Sequence, residues 1–268
     1  MGIYNAFEKM KVSIIIPAYN EEQRIGKTLE YYGRYFNQLE KKGILAYEII
    51  VVINGTTDKT ATIVEKYMKK NNHVKYLNLP KGGKGYAVLE GIRDALKRPA
   101  NIIGFVDADM STPPEAYYEL IRIISQQKLD IAIGSRYIKG SLINPKPTLQ
   151  RRFVSRIYNI FIRSLFLFPY RDTQCGAKVL SRGAAIEVTR NMQMTKWAFD
   201  VEMLYVLWKN NFSITEVPTV WSDKKYSTIN FWKSGPWMAL AVLRLRILHS
   251  PFKKFIKIYD KLIGWLPS

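Results

Sequence analysis

Two aspartates one residue apart follow an apolar run, Ile102-Ile103-Gly104-Phe105-Val106 leading into Asp107-Ala108-Asp109 and then Ser111-Thr112-Pro113-Pro114. A buried strand ending in paired carboxylates offers oxygens to Mg2+ or Mn2+, ions that take one or two protein carboxylates and complete their shell with phosphate and water. Strand side chains alternate, so Asp107 and Asp109 share a side only while the extended geometry persists. The alternative is a solvated turn at a strand end, and the surrounding residues must decide between the two. Lys81-Gly82-Gly83-Lys84-Gly85 is a second chemical element. It lacks Walker spacing, yet a glycine-rich loop carrying two lysines can close over a diphosphate with backbone N–H groups and ammonium charge. A third is Arg136, which follows the apolar run Ile131-Ala132-Ile133 and Gly134-Ser135.

These groups need a scaffold that brings strand ends together. Val12 to Ile16 is a short β-branched run stopping at Pro17, and Ile25, Leu29, Tyr32, Phe36 and Leu39 then recur at helical spacing up to Gly43. Tyr47 to Ile53 predicts a second strand with a helix from about Lys59 to Lys70. Val74 to Leu79 predicts a third, followed by a helix with Val88, Leu89, Ile92 and Leu96. The run before Asp107 is the fourth strand, with a helix from about Pro114 to Gln127, and Ile131 to Ile133 is the fifth. Strands alternating with helices across short loops place the chain in the α/β class, with a mainly parallel central sheet and helices on both faces. In such a sheet, ligands bind at the carboxyl ends of the strands, where the polar residues collect.

Beyond Tyr137 the pattern is irregular, with a loop carrying Pro145 and Pro147 and a mixed basic and apolar segment from Arg151 to Phe168. Arg171 to Lys178 reads as a loop returning to a strand, Trp197 to Trp208 as a helix, and Ile214 to Val220 as an edge strand, since Pro218 argues against a central one. Phe252, Phe255, Ile256, Tyr259, Leu262, Ile263 and Leu266 fall on one helical face and Lys253, Lys254, Lys257 and Lys261 on the other. With Trp265, this predicts a basic amphipathic helix of the interfacial kind; a helix docked on the domain is the alternative. Met238 to Leu248 could form a second such element.

Composition excludes several classes. Hydrophobic residues make up 47% of the 268, so a sizeable core is expected. One cysteine, Cys175, and two histidines, His73 and His249, leave no disulfide framework and too few ligands for a Cys/His zinc site. That suits a reducing compartment. No apolar stretch reaches the ~18 to 20 residues of a spanning helix and no signal peptide is legible, so a peripheral position is expected. Lys and Arg number 41 against 22 Asp and Glu, a net charge of +19 that implies an anionic partner, whether nucleic acid, phosphorylated substrate or acidic lipid. The excess grows after residue 136 and no nucleic-acid motif is present, so a non-catalytic nucleic-acid-binding protein ranks below an enzyme and no nucleic acid is expected as partner.

Taken together, Pro17-Ala18-Tyr19-Asn20-Glu21, Asn54-Gly55-Thr56, Lys81-Gly82-Gly83-Lys84-Gly85, Asp107-Ala108-Asp109 and Gly134-Ser135-Arg136 resemble, in order and spacing, the nucleotide-sugar domain of inverting family 2 glycosyltransferases. Asp172-Thr173-Gln174-Cys175-Gly176 with Lys178, and Trp197 to Glu202, look more narrowly like the dolichyl-phosphate β-glucosyltransferases, with the polyprenyl-phosphate mannose synthases next. The likeness runs from about residue 11 to 250. It implies the nucleotide-sugar-binding glycosyltransferase A-type fold, with a catalytic domain over 11–230 and basic amphipathic C-terminal helices over 231–268 associating with a membrane surface, on its cytoplasmic face. It implies that Pro17, Tyr19 and Glu21 hold the base and ribose with Asn54 beside them, that Lys84 serves the diphosphate, and that Asp107 and Asp109 serve the nucleotide and a Mg2+ or Mn2+ ion.

The reaction so implied moves a hexose, foremost glucose from UDP-glucose, onto dolichyl or polyprenyl phosphate with inversion. GDP-mannose as donor, or a sugar hydroxyl as acceptor, is the alternative. Arg136, Arg151, Arg152 and Ser155 are candidates to hold the lipid phosphate, because guanidinium forks match phosphate oxygens. A phosphate monoester with a second pKa of about 6 is largely dianionic at neutral pH and attacks without a strong base. Asp200 lies where relatives that glycosylate hydroxyls carry their base; here it is assigned to the acceptor site or donor sugar, or else simply favours the start of its helix. Cys175 reads as a small buried residue rather than a nucleophile.

Overall fold

The β-branched and aliphatic runs become strands whose two faces are both buried, and this decides the layering. In a computed structural model of the chain, residues 9–193, 197–222 and 231–262 are described. The first half alternates regularly: β1 (Lys11–Ala18), α1 (Ile25–Lys41), β2 (Ala46–Asn54), α2 (Thr60–Met68), β3 (Val74–Leu79), α3 (Lys84–Leu96), β4 (Ile102–Val106), α4 (Pro114–Gln127) and β5 (Ile131–Ser135). The second half adds β6 (Leu142–Ile143), α5 (Leu149–Phe166), β7 (Ala177–Ser181), α6 (Arg182–Asn191), α7 (Phe199–Lys209), β8 (Ile214–Pro218), β9 (Val220–Trp221), α8 (Phe231–Leu248), a 3-10 turn (Pro251–Phe255) and α9 (Ile256–Leu262).

Seven strands form one sheet in the order β3-β2-β1-β4-β7-β5-β8, and β6 pairs with β9 in a small second sheet. Pairing is parallel throughout the large sheet except at β7, which runs antiparallel between β4 and β5. Ile15, Ile50, Val52, Ile103 and Phe105 face a core built with α3, α6 and α7. Their alternating neighbours Ile14, Ile16, Ile49, Val51 and Ile53 face a second core with α1 and α4. Period-two alternation with both faces buried is why these strands read as unbroken apolar runs. On α1 the expected stripe is in place, with Ile25, Leu29, Tyr32 and Phe36 fully buried, each such large side chain contributing about 1.5–3 kcal/mol by burial.

Chain order reverses at β1, whose neighbours are β2 on one side and β4 on the other. The crevice of an open α/β sheet opens at such a switch point, here between Ala18 at the end of β1 and Asp107 just past β4.

Three features differ from the sequence pattern. The mixed segment after Arg151 is a full helix, α5, capped by Thr148, whose Oγ1 accepts the Arg151 N–H at 3.3 Å. Helix α6 had no legible signal. The tail is broken into a 3-10 turn and a short α-helix rather than one amphipathic helix. Tyr259 Oη donates to the Leu240 carbonyl at 2.7 Å and Arg244 pairs with Asp260 at 2.7 Å, so this segment docks on α8. Ile263, Trp265 and Leu266 lie outside the described residues. Val242 and Leu245 of α8 are fully buried in the same core as Ile15 and Phe105, so α8 shares the core of the sheet domain. The expected edge strand is β8, which ends at Pro218. No helix among the described residues is long and apolar enough to cross a membrane.

Candidate active site

At the end of β4 the Asp107 N–H donates to the Gly176 carbonyl at 3.1 Å, which ties the catalytic-type loop to the segment entering β7. Gly176 has no room for a side chain, because a Cβ there would lie 1.9 Å from Asp107 Oδ2. Asp107 Oδ1 meets Lys84 Nζ at 2.7 Å, both side chains keeping a solvent-facing edge, 37% and 38% exposed. Surrounding protein raises the Asp107 pKa by disfavouring its charge; Lys84 pulls it down, while Asp109 and Asp200 push it up. For Lys84 the same desolvation acts downward, but Asp107, Asp200 and Asp109 outweigh it and the ammonium is held above its ordinary range. Asp109 turns back, its Oδ1 accepting the Ser111 N–H at 2.9 Å, around a left-handed Met110 with φ of 60°. Helix α1 braces this turn from below, with Thr28 Oγ1 donating to the Ala108 carbonyl at 2.6 Å and Tyr32 Oη to that of Thr112 at 2.9 Å.

Lys84 is positioned by Asn54, and here the structure corrects the expected role. Asn54 is 1% exposed and does not face the cleft. Its Nδ2 donates to the Ala18 and Val52 carbonyls at 3.0 and 3.3 Å, and its Oδ1 accepts the Gly83 N–H at 2.9 Å. It is a latch between the ends of β1 and β2 and the glycine loop that starts α3.

Of the residues expected around the nucleotide, Tyr19 is 57% exposed and its ring lies 4.0 Å from the position of a Cβ on Gly82. Pro17 is buried within β1 opposite Val52 and shapes the strand end rather than presenting a face. Glu21 forms a two-point pair with Arg24 at 2.6 and 2.8 Å. Burial nevertheless raises its pKa to about 7, with Arg24 opposing and Asp109 and Asp107 adding to the rise.

Asp200, at the start of α7, is engaged by a residue to which the sequence pattern assigned no role. Lys178 Nζ, fully buried on β7, lies 2.5 Å from Asp200 Oδ1 and also donates to the Cys175 carbonyl at 2.7 Å. Gly85 permits the approach, since a Cβ there would sit 2.7 Å from Phe199 Cβ. Lys84 and Lys178 both stand over the Phe105 ring, at 5.8 and 5.4 Å from its centroid. A lysine inside the strand run Ala177-Lys178-Val179-Leu180 was the available signal, since a buried lysine needs a partner. Cys175 is buried, and burial pushes its thiol up to about 11, away from nucleophile chemistry.

On the other side of β7, Arg136 is not an open fork. Its Nε and Nη2 bond Asp172 Oδ2 and Oδ1 at 2.7 and 2.8 Å, and its backbone N–H also reaches Oδ2 at 2.9 Å. Burial opposes the Asp172 charge, but Arg136 outweighs it and keeps the carboxyl below its usual range. The Arg136 guanidinium also lies 5.2 Å from the Trp221 ring. Only its remaining edge can meet a phosphate, so this arginine differs from the free bidentate clamp expected. Ser155 shares a 2.6 Å hydrogen bond with Tyr137 Oη. Arg151 and Arg152 sit in the first turn of α5, with the Arg152 N–H donating to the Thr148 carbonyl at 3.0 Å. The structure therefore brings Asp107, Asp109, Lys84, Glu21 and Asp200 to one sheet edge, with Arg136 and Ser155 forming a second group linked through Tyr137.

No group of three or more metal-ligating side chains occurs among the described residues. The donor set still fits a hard divalent cation of the phosphate-bridging kind, which takes one or two carboxylates and leaves its other positions to phosphate oxygens and water. Asp107 and Asp109 would supply the carboxylates, and the repulsion that Asp109 exerts on Asp107 is what a cation would relieve.

Residues 13–189 match the family model described as glycosyl transferase family 2. A dolichyl-phosphate beta-glucosyltransferase of Dictyostelium discoideum is 32% identical over 250 residues, covering 90% of this chain and 76% of the relative. The mouse dolichyl-phosphate beta-glucosyltransferase is 30% identical, with 89% and 76% covered. Among solved structures, glucosyl-3-phosphoglycerate synthase of Mycobacterium tuberculosis in complex with Mn2+, UDP and phosphoglyceric acid superposes with a TM-score of 0.65 at 16% identity, covering 90% of this chain and 78% of that one. That likeness carries the glycosyltransferase A-type fold. The chain belongs to glycosyl transferase family 2 and is a relative of the dolichyl-phosphate beta-glucosyltransferases within it.

Proposed function

We propose that this protein transfers glucose from a nucleoside-diphosphate sugar, UDP-glucose, to dolichyl or a related polyprenyl phosphate, inverting the anomeric centre. Support for the acceptor class comes from Asp200, which by the family resemblance stands where relatives that glycosylate hydroxyls carry their base and which is here ion-paired with the buried Lys178 at 2.5 Å. A hydroxyl acceptor needs a base to take its proton, whereas a phosphate dianion already holds the attacking electron pair.

In the step itself a phosphate oxygen of the lipid forms the bond to the anomeric carbon as the bond from that carbon to the diphosphate oxygen breaks. The electron pair leaves with the nucleoside diphosphate. Lys84 places positive charge where the diphosphate becomes more negative, a preorganised form of stabilisation. The Asn54 latch holds the loop that delivers Lys84. Asp107 and Asp109 would hold a Mg2+ or Mn2+ ion, whose contribution is charge neutralisation and templating of the diphosphate. Tyr19 and Glu21 line the nucleotide side, and Arg136, Ser155, Arg151 and Arg152 the acceptor side. The basic C-terminal segment with exposed Phe252 and Phe255 supports a peripheral place at a membrane surface, which we assign to the cytoplasmic face by the family resemblance.

Purified protein incubated with UDP-glucose, polyprenyl phosphate and Mg2+ or Mn2+ should yield glucosylated lipid and one UDP per product. Absence of any lipid product from UDP-glucose, with product from GDP-mannose, would reassign the sugar. Transfer to a free sugar hydroxyl alone would reassign the acceptor.

A further inference from the structure

In the turn that leads towards β7, the successive N–H groups of Arg171, Asp172 and Thr173 are all taken by side chains from other elements. Glu216 on β8 accepts the Arg171 N–H on Oε2 at 2.9 Å and the Asp172 N–H on Oε1 at 3.0 Å. The same Oε1 accepts the hydroxyl of Ser135, the last residue of β5, at 2.7 Å. From the opposite side Asn159 of α5, itself buried, accepts both the Thr173 N–H and the Thr173 hydroxyl on Oδ1, each at 3.3 Å. Its Nδ2 donates to the Ser155 carbonyl at 3.0 Å, one helical turn back. Asp172 and Thr173 are fully buried, and a turn so enclosed must have its N–H groups met. What meets them is a carboxylate and an amide drawn from a strand and a helix far apart in the chain.

We propose that Glu216 and Asn159 are positioning residues for the acceptor, holding the turn 171–173 so that Asp172 presents Arg136 with one guanidinium edge turned to the acceptor phosphate. The proposal rests on the lipid-phosphate reading of the acceptor. Asp172 takes Nε and Nη2 of Arg136 at 2.7 and 2.8 Å and the Arg136 N–H at 2.9 Å, a three-point grip that requires its own backbone to be fixed. An arginine gripped along one edge keeps the Nη1 side for an incoming anion. A long side chain left loose would lose its rotamer freedom on binding; one fixed beforehand spares that cost. Asn159 extends the same hold to α5, whose Ser155 bonds Tyr137 next to Arg136, so one amide sets two acceptor-side groups in register. The donor half is held separately. Past Thr173 the Cys175 carbonyl is held by Lys178 Nζ and the Gly176 carbonyl by the Asp107 N–H, neither of which involves Glu216.

Titration calorimetry of the full chain with geranyl phosphate, a water-soluble prenyl monophosphate, in the presence of saturating UDP tests this. Glu216→Gln is isosteric but sets an NH2 group against at least one of the donors that the carboxylate now accepts. It should weaken geranyl phosphate binding about tenfold, the scale of one lost hydrogen bond to a charged group, and raise KM for that acceptor in step. UDP affinity should stay within about twofold. Asn159→Ala should act in the same direction and serves as the second variant should Glu216→Gln fail to fold, native far-UV circular dichroism being the check. In an Arg136→Lys background, where the fork that Asp172 orients is gone, the Glu216→Gln effect should shrink below about twofold, because the two changes act through one group. Acceptor affinity unchanged in both single variants overturns the proposal. So does an equal loss of UDP affinity, which a merely structural role would give, or a full effect of Glu216→Gln in the Arg136→Lys background. Wild-type protein that does not bind geranyl phosphate overturns it as well. If the wild type binds geranyl phosphate yet never glucosylates it from UDP-glucose, the functional reading fails, while the binding comparison still judges Glu216 and Asn159.

Discussion

Lys178 Nζ and Asp200 Oδ1 stand 2.5 Å apart, the lysine fully buried and the aspartate side chain 12% exposed. The antiparallel strand β7 carries the cation into the heart of the sheet, between β4 and β5, and α7 brings the anion to it.

Removing the cation leaves a carboxylate enclosed without its partner, a change that costs about 3–5 kcal/mol when buried pairs are broken. Lys178→Met should therefore lower unfolding free energy by that order in urea titration, and Lys178→Met/Asp200→Leu should recover much of the loss. Asp200→Asn should keep measurable transfer to a polyprenyl phosphate. Activity as low as in Asp107→Asn would give Asp200 a direct part in the chemistry.

Gly176 offers a way to displace Asp107 without altering it. Gly176→Ala puts a Cβ where Asp107 Oδ2 now lies, so the carboxylate or the loop must shift. Transfer should fall by roughly 100-fold or more, the scale of misplacing a positioned group, while far-UV circular dichroism stays native. Lys84→Met should lower kcat by ~100- to 1,000-fold, as loss of a preorganised charge does. Full activity in Gly176→Ala would show that the Asp107 geometry is not limiting.

Glu21 sets a pH dependence near neutrality. Its folded-state pKa, about 7, stands above the ordinary 4.5. The folded protein thus binds this proton more tightly than the unfolded chain. The resulting stability is complete below about 4.5 and is lost as pH rises through about 7. Melting temperature should decline across that window, and Glu21→Gln should flatten the decline. An unchanged profile in the variant would assign the slope to other groups.

Divalent metal should couple to the nucleotide through Asp107 and Asp109. UDP at 100 times its dissociation constant stabilises by about 2.7 kcal/mol, and with Mg2+ or Mn2+ present that saturation should be reached at lower UDP. Asp109→Asn should remove the metal-dependent part of the thermal shift and leave the metal-free part. An equal UDP response in EDTA and in Mn2+ would argue against a metal on these carboxylates.

What the sequence determined by itself was the sheet and its working edge. Runs such as Ile102–Val106 are too uniformly apolar to do anything but fill a two-sided core, and the polar residues that end them must emerge together where the strands point the same way. Local pattern therefore sufficed for β1 to β5 and for α1 to α4, and it put Asp107, Asp109 and Lys84 at strand and loop ends on one sheet edge. Tertiary structure alone decided which charges remained available. Arg136 looks like a free fork in sequence, but Asp172, 36 residues away, takes one edge of it, Nε and Nη2. Asn54 looks like a ligand contact, but Gly83 and Ala18 use both ends of its amide. Nothing near Asp200 in sequence announces Lys178, which reaches it because β7 reverses direction between two parallel strands. Periodicity reports burial, a property of one element at a time, whereas pairing of charges depends on side chains from elements far apart in the chain that only packing brings within 3 Å.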